Sequence, residues 1–532
     1  MSKRHKPFIM RSFILWLLAL LGFDASIAQP VESPLYREGY IQRQFSLDRR
    51  ALHIHTVLRN ALPLPGDTLP SGVWRKSPKG KNNLLLELWP AAELSASLFS
   101  PDAAKTGGKF GGGLTAIVGY KKWLFGELRA TALQGGYQQY TRRVSLLSGV
   151  APEGQPISVN ASGIVHYTDI NGYLNVQTGA YMQLGIGQGR QFIGEGYRSF
   201  FLSDYAGNMT YGHITATFWR LKYKVIYSHL RDMRSATSSR YSDMESKFST
   251  SHYLSWNVNK WLNLGLFEAV VWRGRDTLLD RGFDVNYLNP VIFMRPTEFA
   301  QGSSDNSLVG AAINIRPTDG LFFYSQLMLD EFLLSALRND AKHFLNPSDT
   351  TIQWGWWANK WALQVGVKQF GLLGWESLGI QSELNVCRPF TFSHSDPMSN
   401  YGHLNRSLAH PLGANFVEWL LMVHYVKERW FGEAGLILQQ RGTDAPGINS
   451  GNDPYASYQY RQGDYRHYIG QAQTAYIQQW SVRTSWMAIP RAHLRLFAES
   501  RLRLQDLNNI AKQDFYFELG ITSRFFERYL DN

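Results

Sequence analysis

The sequence predicts an all-β fold: a transmembrane antiparallel β-barrel of about 16 to 18 strands, with short periplasmic turns, long extracellular loops and a small N-terminal periplasmic or plug segment. Three observations predict it. The strands are two-faced, the chain opens on an export leader, and the connections alternate in length.

The two-faced pattern is plainest in Pro490 to Gln505. Ala492, Leu494, Leu496, Ala498, Leu502 and Leu504 alternate with Arg491, His493, Arg495, Phe497, Glu499, Arg501 and Arg503. A strand sends successive side chains to opposite faces, so one face is small and aliphatic while the other is crowded with guanidinium groups. Such a strand suits either the surface of a soluble sandwich or a membrane barrel with leucines in lipid and arginines in a wet lumen. The leader chooses between them. Lys3, Arg4, Lys6 and Arg11 precede an apolar stretch from Phe13 to Phe23, and Ser26-Ile27-Ala28 has the small residues of a cleavage site. Residues 1–28 therefore read as a signal peptide, with 29–80 as the N-terminal segment and 81–532 as the barrel.

Composition agrees with this. Aromatic residues make up 14% of the chain, enough for interfacial girdles, and the mean hydropathy of −0.26 excludes a helical membrane bundle. The sole cysteine, Cys387, forms no intramolecular disulfide, so stability must come from packing and sheet closure. The net charge of +12 includes four basic leader residues and Asp24, which leaves about +9 after cleavage. Outside the cytoplasm such a charge argues against nucleic acid and for acidic polysaccharide or lipid head groups as partners.

Taken in order, residues 29–80 hold a short helical pattern, Ile54, Val57, Leu58 and Leu62, started by Asp48 and ended by Pro63 and Pro65. Leu114 to Tyr120 turns at Lys121-Lys122 into a strand from Trp123 to Tyr137. Leu174 to Ile186 alternates as one uncharged strand. Ile214 to Phe218 turns at Trp219-Arg220, Leu254 to Val258 at Asn259-Lys260, Val309 to Ile315 at Pro317–Gly320, and Phe416 to Tyr425 at Lys427-Glu428-Arg429. Phe515 to Phe525 closes the series. Between these hairpins lie long polar connections at 141–158, 188–210, 231–250, 275–304, 337–350, 388–414 and 441–470. A soluble sandwich has no reason to sort its connections in this way.

Four of the long connections carry possible chemistry. In the first, Gly187 to Ser199, the glycines lack a phosphate-loop pattern and read as an inward-folded turn in which Arg190, Glu195, Arg198 and Asp204 pair in or above the lumen. The second, Asp280 to Asn306, has carboxylates and amides but no calcium-loop spacing. The third holds Arg388, Ser393, His394, Asp396, Tyr401, His403, Arg406 and His410. Ser393, His394 and Asp396 are too close in sequence for a triad, and the histidine spacing matches no compact zinc motif, so no catalytic group, metal or cofactor is expected. Tyr, His, Asn, Asp and Arg together suit sugar hydroxyls and uronates. The candidate ligand residues are Arg190, Glu195, Arg198, Arg388, His394, Asp396, Tyr401, His403 and Arg406, while Arg495, Arg501 and Arg503 are expected to face the lumen. The fourth connection, Gly442 to Tyr468, reads as a mobile extracellular loop.

Several of these strings carry a resemblance. Gly187-Gln-Gly-Arg-Gln-Phe-Ile-Gly-Glu-Gly-Tyr-Arg-Ser, Gly282-Phe-Asp-Val-Asn-Tyr-Leu-Asn-Pro, Leu329-Asp-Glu-Phe, Arg388-Pro-Phe-Thr-Phe-Ser-His-Ser-Asp and His410-Pro-Leu-Gly-Ala-Asn resemble the capsule-assembly Wzi-like outer-membrane proteins, in particular the gliding-motility RemB-like branch. The resemblance spans roughly residues 180–420. It implies an outer-membrane barrel of about 18 strands with an N-terminal plug. Its outer loops would help hold capsular polysaccharide, without enzymatic activity. The RemB-like branch adds gliding or adhesion, with surface-secretion or motility proteins as partners. No ligand residue is carried over, and residues 29–80 depart from the long helical plug of the family. The alternatives are an anion-selective porin or transporter and an outer-membrane enzyme acting on lipid or glycan.

Overall fold

The computed structural model describes residues 74–76, 84–100, 105–121, 123–159, 164–236, 240–275, 281–291, 305–490 and 493–523. The leader and nearly all of segment 29–80, including its expected helix, lie outside the described residues. Only Trp74–Lys76 of that segment is described, and it pairs with Leu86–Leu88 on the barrel wall.

Eighteen long antiparallel strands form the wall, the upper end of the range expected from sequence. They are β1 (Leu84–Ser100), β2 (Lys105–Tyr120), β3 (Leu124–Gly135), β4 (Val165–Gln177), β5 (Met182–Gly189) and β6 (Met209–Phe218). Next come β7 (Leu221–Asp232), β8 (Glu245–Asn257), β9 (Leu262–Arg273), β10 (Asn306–Thr318), β11 (Leu321–Glu331) and β12 (Lys360–Leu372). The last six are β13 (Trp375–Cys387), β14 (Phe416–Lys427), β15 (Trp430–Thr443), β16 (Gln473–Ile489), β17 (Leu494–Leu507) and β18 (Ile510–Ser523). Each pairs with its neighbours, and β18 returns to β1 with Ala92 opposite Ser523 and Ser100 opposite Phe515. Closure leaves no unpaired edge in the bilayer, where every bare backbone group would cost several kcal/mol.

Alternation sets the orientation of each strand. In β17, Phe497, Glu499 and Arg503 are buried toward the lumen while Leu496 is exposed on the outside. Leu98, Phe110, Leu128, Ile186 and Leu519 extend this outer apolar band around the barrel. Trp123, Trp219, Trp261, Trp375 and Trp430, all exposed, ring the short-turn end as an interfacial girdle. These turns are tight enough that Lys121, Trp219, Leu373 and Glu428 take positive φ, which matches the twist of the flanking strands.

Three boundaries differ from the sequence reading. Leu174 to Ile186 is two strands, β4 and β5, which reverse at 178–181 with Gln177 opposite Gln183. With no charge on either face, the pattern alone did not mark the reversal. The β17 strand begins at Leu494, because His493 sits at φ 47° and donates its N–H to Pro490 O in a turn. The connection at 508–509 is short although it lies at the long-loop end, so that rim is uneven.

Among the described residues two helices stand in the long connections, α1 (Gln139–Ser148) and α2 (Leu334–Leu345). The core of the molecule sits inside the barrel. Phe200, Phe201, Leu202, Leu408 and Leu412 from inward-folded connections pack against Tyr253, Phe267, Leu308 and Met328 of the wall. The Phe201 and Phe267 rings stack at 4.8 Å, and a side chain at Gly310 would come within 2.5 Å of Phe201 Cε1. Glycine there lets the inward connection 190–208, which acts as a plug, meet the wall.

Candidate functional site

The inward connection 190–208 is held by wall residues from five consecutive strands. Arg198, 1% exposed, pairs with Glu418 of β14 at 3.3 Å, and Glu418 also accepts from His410 Nε2 at 2.9 Å. Glu383 of β13 accepts from the backbone N–H groups of Tyr197 and Arg198 at 2.7 and 3.2 Å, and from the Tyr324 hydroxyl of β11 at 2.8 Å. Lys368 of β12 donates to the Glu195 carboxylate and carbonyl at 2.9 and 2.8 Å. Gln439 of β15 donates to Glu418 at 2.9 Å. Buried charges persist when paired and hydrogen-bonded, as Arg198 with Glu418 and Lys368 with Glu195 are, while Glu383 is held by hydrogen bonds alone.

The third connection crosses over the first and locks it. The Tyr401 hydroxyl donates to Phe201 O, and Lys360 of β12 donates to Ser393 O at 3.1 Å. His403 Nδ1 accepts from Arg231 N–H at 2.9 Å while Nε2 lies 3.0 Å from Asn208 O, an arrangement that one neutral tautomer satisfies completely. Burial, with Lys247 and His229 nearby, holds this imidazole down at about 4. The Arg406 guanidinium donates to the carbonyls of Val150, Ala151, Pro152 and Tyr205 and lies over the Tyr205 ring.

The sequence candidates are therefore placed as follows. Glu195, Arg198, Tyr401, His403 and Arg406 are buried with their polar groups engaged inside the protein, so they do not face a surface ligand. Arg190 donates to Asp204 O at 3.4 Å, within its own connection. Asp396 pairs with Arg273 at 3.1 Å. Of the inward arginines, Arg501 pairs with Glu499, Arg495 reaches Ser485 Oγ at 3.4 Å, and Arg503 lies over the Tyr140 ring of α1 at 3.7 Å. Most of these residues thus lie within the inward connections or on the wall that holds them.

The surface that remains for a ligand lies at the long-loop end. Residues 354–357 and 464–467 form a backbone ladder: Trp357 N–H donates to Asp464 O, Arg466 N–H to Trp354 O and His467 N–H to Gly355 O, each at 2.9 Å. Gly355 takes φ 68°, and a side chain there would come within 2.6 Å of His467 N. The ladder displays a half-exposed Trp357 between Tyr458, with centroids 4.6 Å apart, and the Arg461 guanidinium, 4.1 Å from its ring. Tyr460, 79% exposed, stands beside them, and Asp464 pairs with Arg461 at 2.6 Å. Beneath, Arg388 donates to Asp340 at 3.1 Å, to Trp356 O at 3.2 Å and to His467 O at 3.4 Å. His394, held neutral by burial and by the Lys360 charge, meets Tyr458 edge-on at 6.1 Å. Two of the sequence candidates, Arg388 and His394, thus support this platform from below.

The connection Gly442 to Tyr468 is thus held against residues 354–357 through its 464–467 segment. The signals for the platform were the string Gln353-Trp354-Gly355-Trp356-Trp357, passed over in the sequence reading, and the tyrosines from Tyr455 to Tyr468. Flat aromatic faces beside a guanidinium and a carboxylate suit sugar rings with acidic substituents.

A comparison of folds supports the architecture. Wzi, an outer-membrane protein involved in group 1 capsule assembly in Escherichia coli and a carbohydrate-binding β-barrel, superposes with a TM-score of 0.50. The identity is 15%, over 82% of this chain and 85% of Wzi. The chain shares the Wzi barrel fold. Pseudomonas aeruginosa OpdL (8% identity, TM-score 0.43) and OpdK with vanillate (9%, 0.43) each match over 82% of this chain and 98% of their own. No family model and no curated protein matches the sequence.

Proposed function

We propose that the protein is a non-catalytic outer-membrane barrel that binds acidic surface polysaccharide at the platform formed by Trp356, Trp357, Tyr458, Tyr460 and Arg461. The observation that carries this reading is the Trp357 ring in contact with both Tyr458 and Arg461 on a two-loop backbone ladder at the long-loop end of the barrel. Sugar rings stack on the aromatic faces, and Arg461 exchanges part of its Asp464 pairing for a uronate or phosphate group. Wzi, with the same fold, is a carbohydrate-binding barrel, which supports the ligand class. The absence of chemistry on the ligand is in keeping with Ser393, whose hydroxyl donates to Phe390 O at 2.7 Å, and with His394, whose Nδ1 accepts from Asp396 N–H at 3.2 Å. Within this reading the loop strings that resemble the RemB-like branch add surface adhesion during gliding as a second use of the platform, with motility or secretion proteins as partners.

Calorimetric titration of the purified protein with the acidic capsular polysaccharide of its own cell tests the proposal. Saturable binding supports it, and no heat of binding at any concentration removes it.

One observation favours a second reading, an anion passage. The β16–β17 wall turns Arg483, Arg495, Arg501 and Arg503 inward, on the side away from the packed plug. Anion-selective single-channel conductance that is insensitive to Trp357→Ala would favour it over the binding role.

A further inference from the structure

Helix α2 turns Asp340, His343 and Ala336 toward the protein and leaves large apolar side chains, together with Arg338 and Lys342, on its outward side. Asp340 accepts from Gly355 N–H at 2.6 Å and from Arg388 at 3.1 Å, His343 stacks on Trp354 with centroids 4.4 Å apart, and Ala336 is buried. At about 100° per residue these three positions share one side of the helix. On the other side Leu334, Arg338, Ala341 and Leu345 follow one line at spacings of four, seven and eleven residues from Leu334, and Phe344 lies on the flank between the two sides. Phe344 is 83% exposed and Leu345 82%, and Phe332, Leu333 and Leu334 at the entry to the helix are exposed as well. A helix free to choose in water would turn such a face inward, since burying each large side chain is worth about 1.5–3 kcal/mol.

We propose that this face lies in the outer leaflet of the membrane, in contact with acyl chains, and that Arg338 and Lys342 beside it meet the phosphate groups of the lipid heads. Two observations select a lipid surface over a protein partner. The first is continuity: the outward column Phe323, Leu327 and Leu329 of β11 belongs to the lipid-facing band and runs in chain directly into Phe332–Leu334. The second is charge. Arg338 and Lys342 are exposed, four residues apart on the same outward side as Leu334 and Leu345, and make no ion pair among the described residues. Exposed apolar side chains with long cations among them, whose stems can lie along acyl chains while their heads reach the phosphates, suit an interfacial helix on an anionic membrane. The inner side of the same helix carries Asp340 and His343 beneath the aromatic platform, so the lipid contact would fix the height of that platform above the bilayer. The inference is independent of what the platform binds.

The test uses the full-length protein in phosphatidylcholine–phosphatidylglycerol vesicles, with an environment-sensitive fluorophore on Leu345→Cys, on Phe344→Cys and, as a reference on the platform loop, on Gln462→Cys. Cys387 is fully buried and stays unlabelled. The Leu345 and Phe344 probes are expected to shift to the blue and to be quenched by lipid-borne nitroxide at least about twofold more than the Gln462 probe. In the Arg338→Gln/Lys342→Gln background that quenching is expected to fall toward the value seen in pure phosphatidylcholine. Quenching of the Leu345 probe by aqueous iodide as readily as of the Gln462 probe would overturn the lipid contact. Shielding from both quenchers would overturn it equally, by showing that a protein or a second copy covers the face. Unchanged quenching in the double variant would overturn the phosphate assignment.

Discussion

Trp357 is placed to give most of the binding energy, because its ring is already held by Tyr458 and Arg461 before any ligand arrives and little ordering is needed to bind. Truncating it in Trp357→Ala removes a stacking surface worth about 1–2 kcal/mol, so the polysaccharide Kd should rise roughly tenfold by calorimetry. Arg388 acts differently. It touches Asp340 and two backbone carbonyls of the platform, a forked geometry that a lysine point charge does not reproduce. Arg388→Lys should therefore weaken binding by a similar factor while leaving the ionic-strength dependence of Kd unchanged, whereas Arg461→Gln should flatten that dependence. The two salt series separate a positioning arginine from a contacting one.

His403 gives a residue with a pH signature. Its pKa falls from 6.5 to about 4 on folding, so the neutral form is the one the plug holds. A depressed folded pKa means that the stabilisation is complete above pH 6.5 and is lost progressively as pH falls toward 4, by about 3 kcal/mol in total. Hydrogen exchange of residues 400–408 should accelerate across that window, and His403→Gln should abolish the acceleration even though its starting protection is lower.

At the scale of elements, the inward connection 190–208 behaves as a plug because its charges find partners on the wall and its phenylalanines find a core. Glu418→Ala would leave Arg198 buried beside an unfilled space and lose the His410 bond, at a cost of about 3–5 kcal/mol. Phe201→Ala should cost a similar amount, as a cavity between Phe267 and Tyr253. Both variants are expected to stay folded as barrels, keeping the shifted gel mobility of unheated protein, while exchange of 191–203 becomes measurable within minutes. Unchanged protection of 191–203 in both would mean that the plug is held elsewhere.

At the scale of the whole molecule, the barrel was legible from alternation and from the sorting of connections, because both follow directly from a wall that meets lipid on one side and water on the other. The eighteen strands fell within the expected range, but the 178–181 reversal was hidden for want of charge between Leu174 and Ile186. The site was less legible for a physical reason. A connection rich in Arg, Glu, Tyr and His satisfies a sugar or a barrel wall equally well, and the wall partners Lys368, Glu383 and Glu418 lie about two hundred residues away in sequence from Glu195 and Arg198. Residue types alone do not say which of the two takes up the hydrogen bonds. The platform depends on pairing between residues 354–357 and 464–467, a long-range ladder that no local pattern announces.

The central claim, that polysaccharide binds across this ladder, is tested most directly by hydrogen exchange of the protein with and without saturating acidic polysaccharide, read peptide by peptide. The account predicts slower exchange in 353–358 and 457–467 and no change in 191–203 or 400–408. Protection confined to the inward faces of β16 and β17, or no protection on the two platform segments, would contradict it.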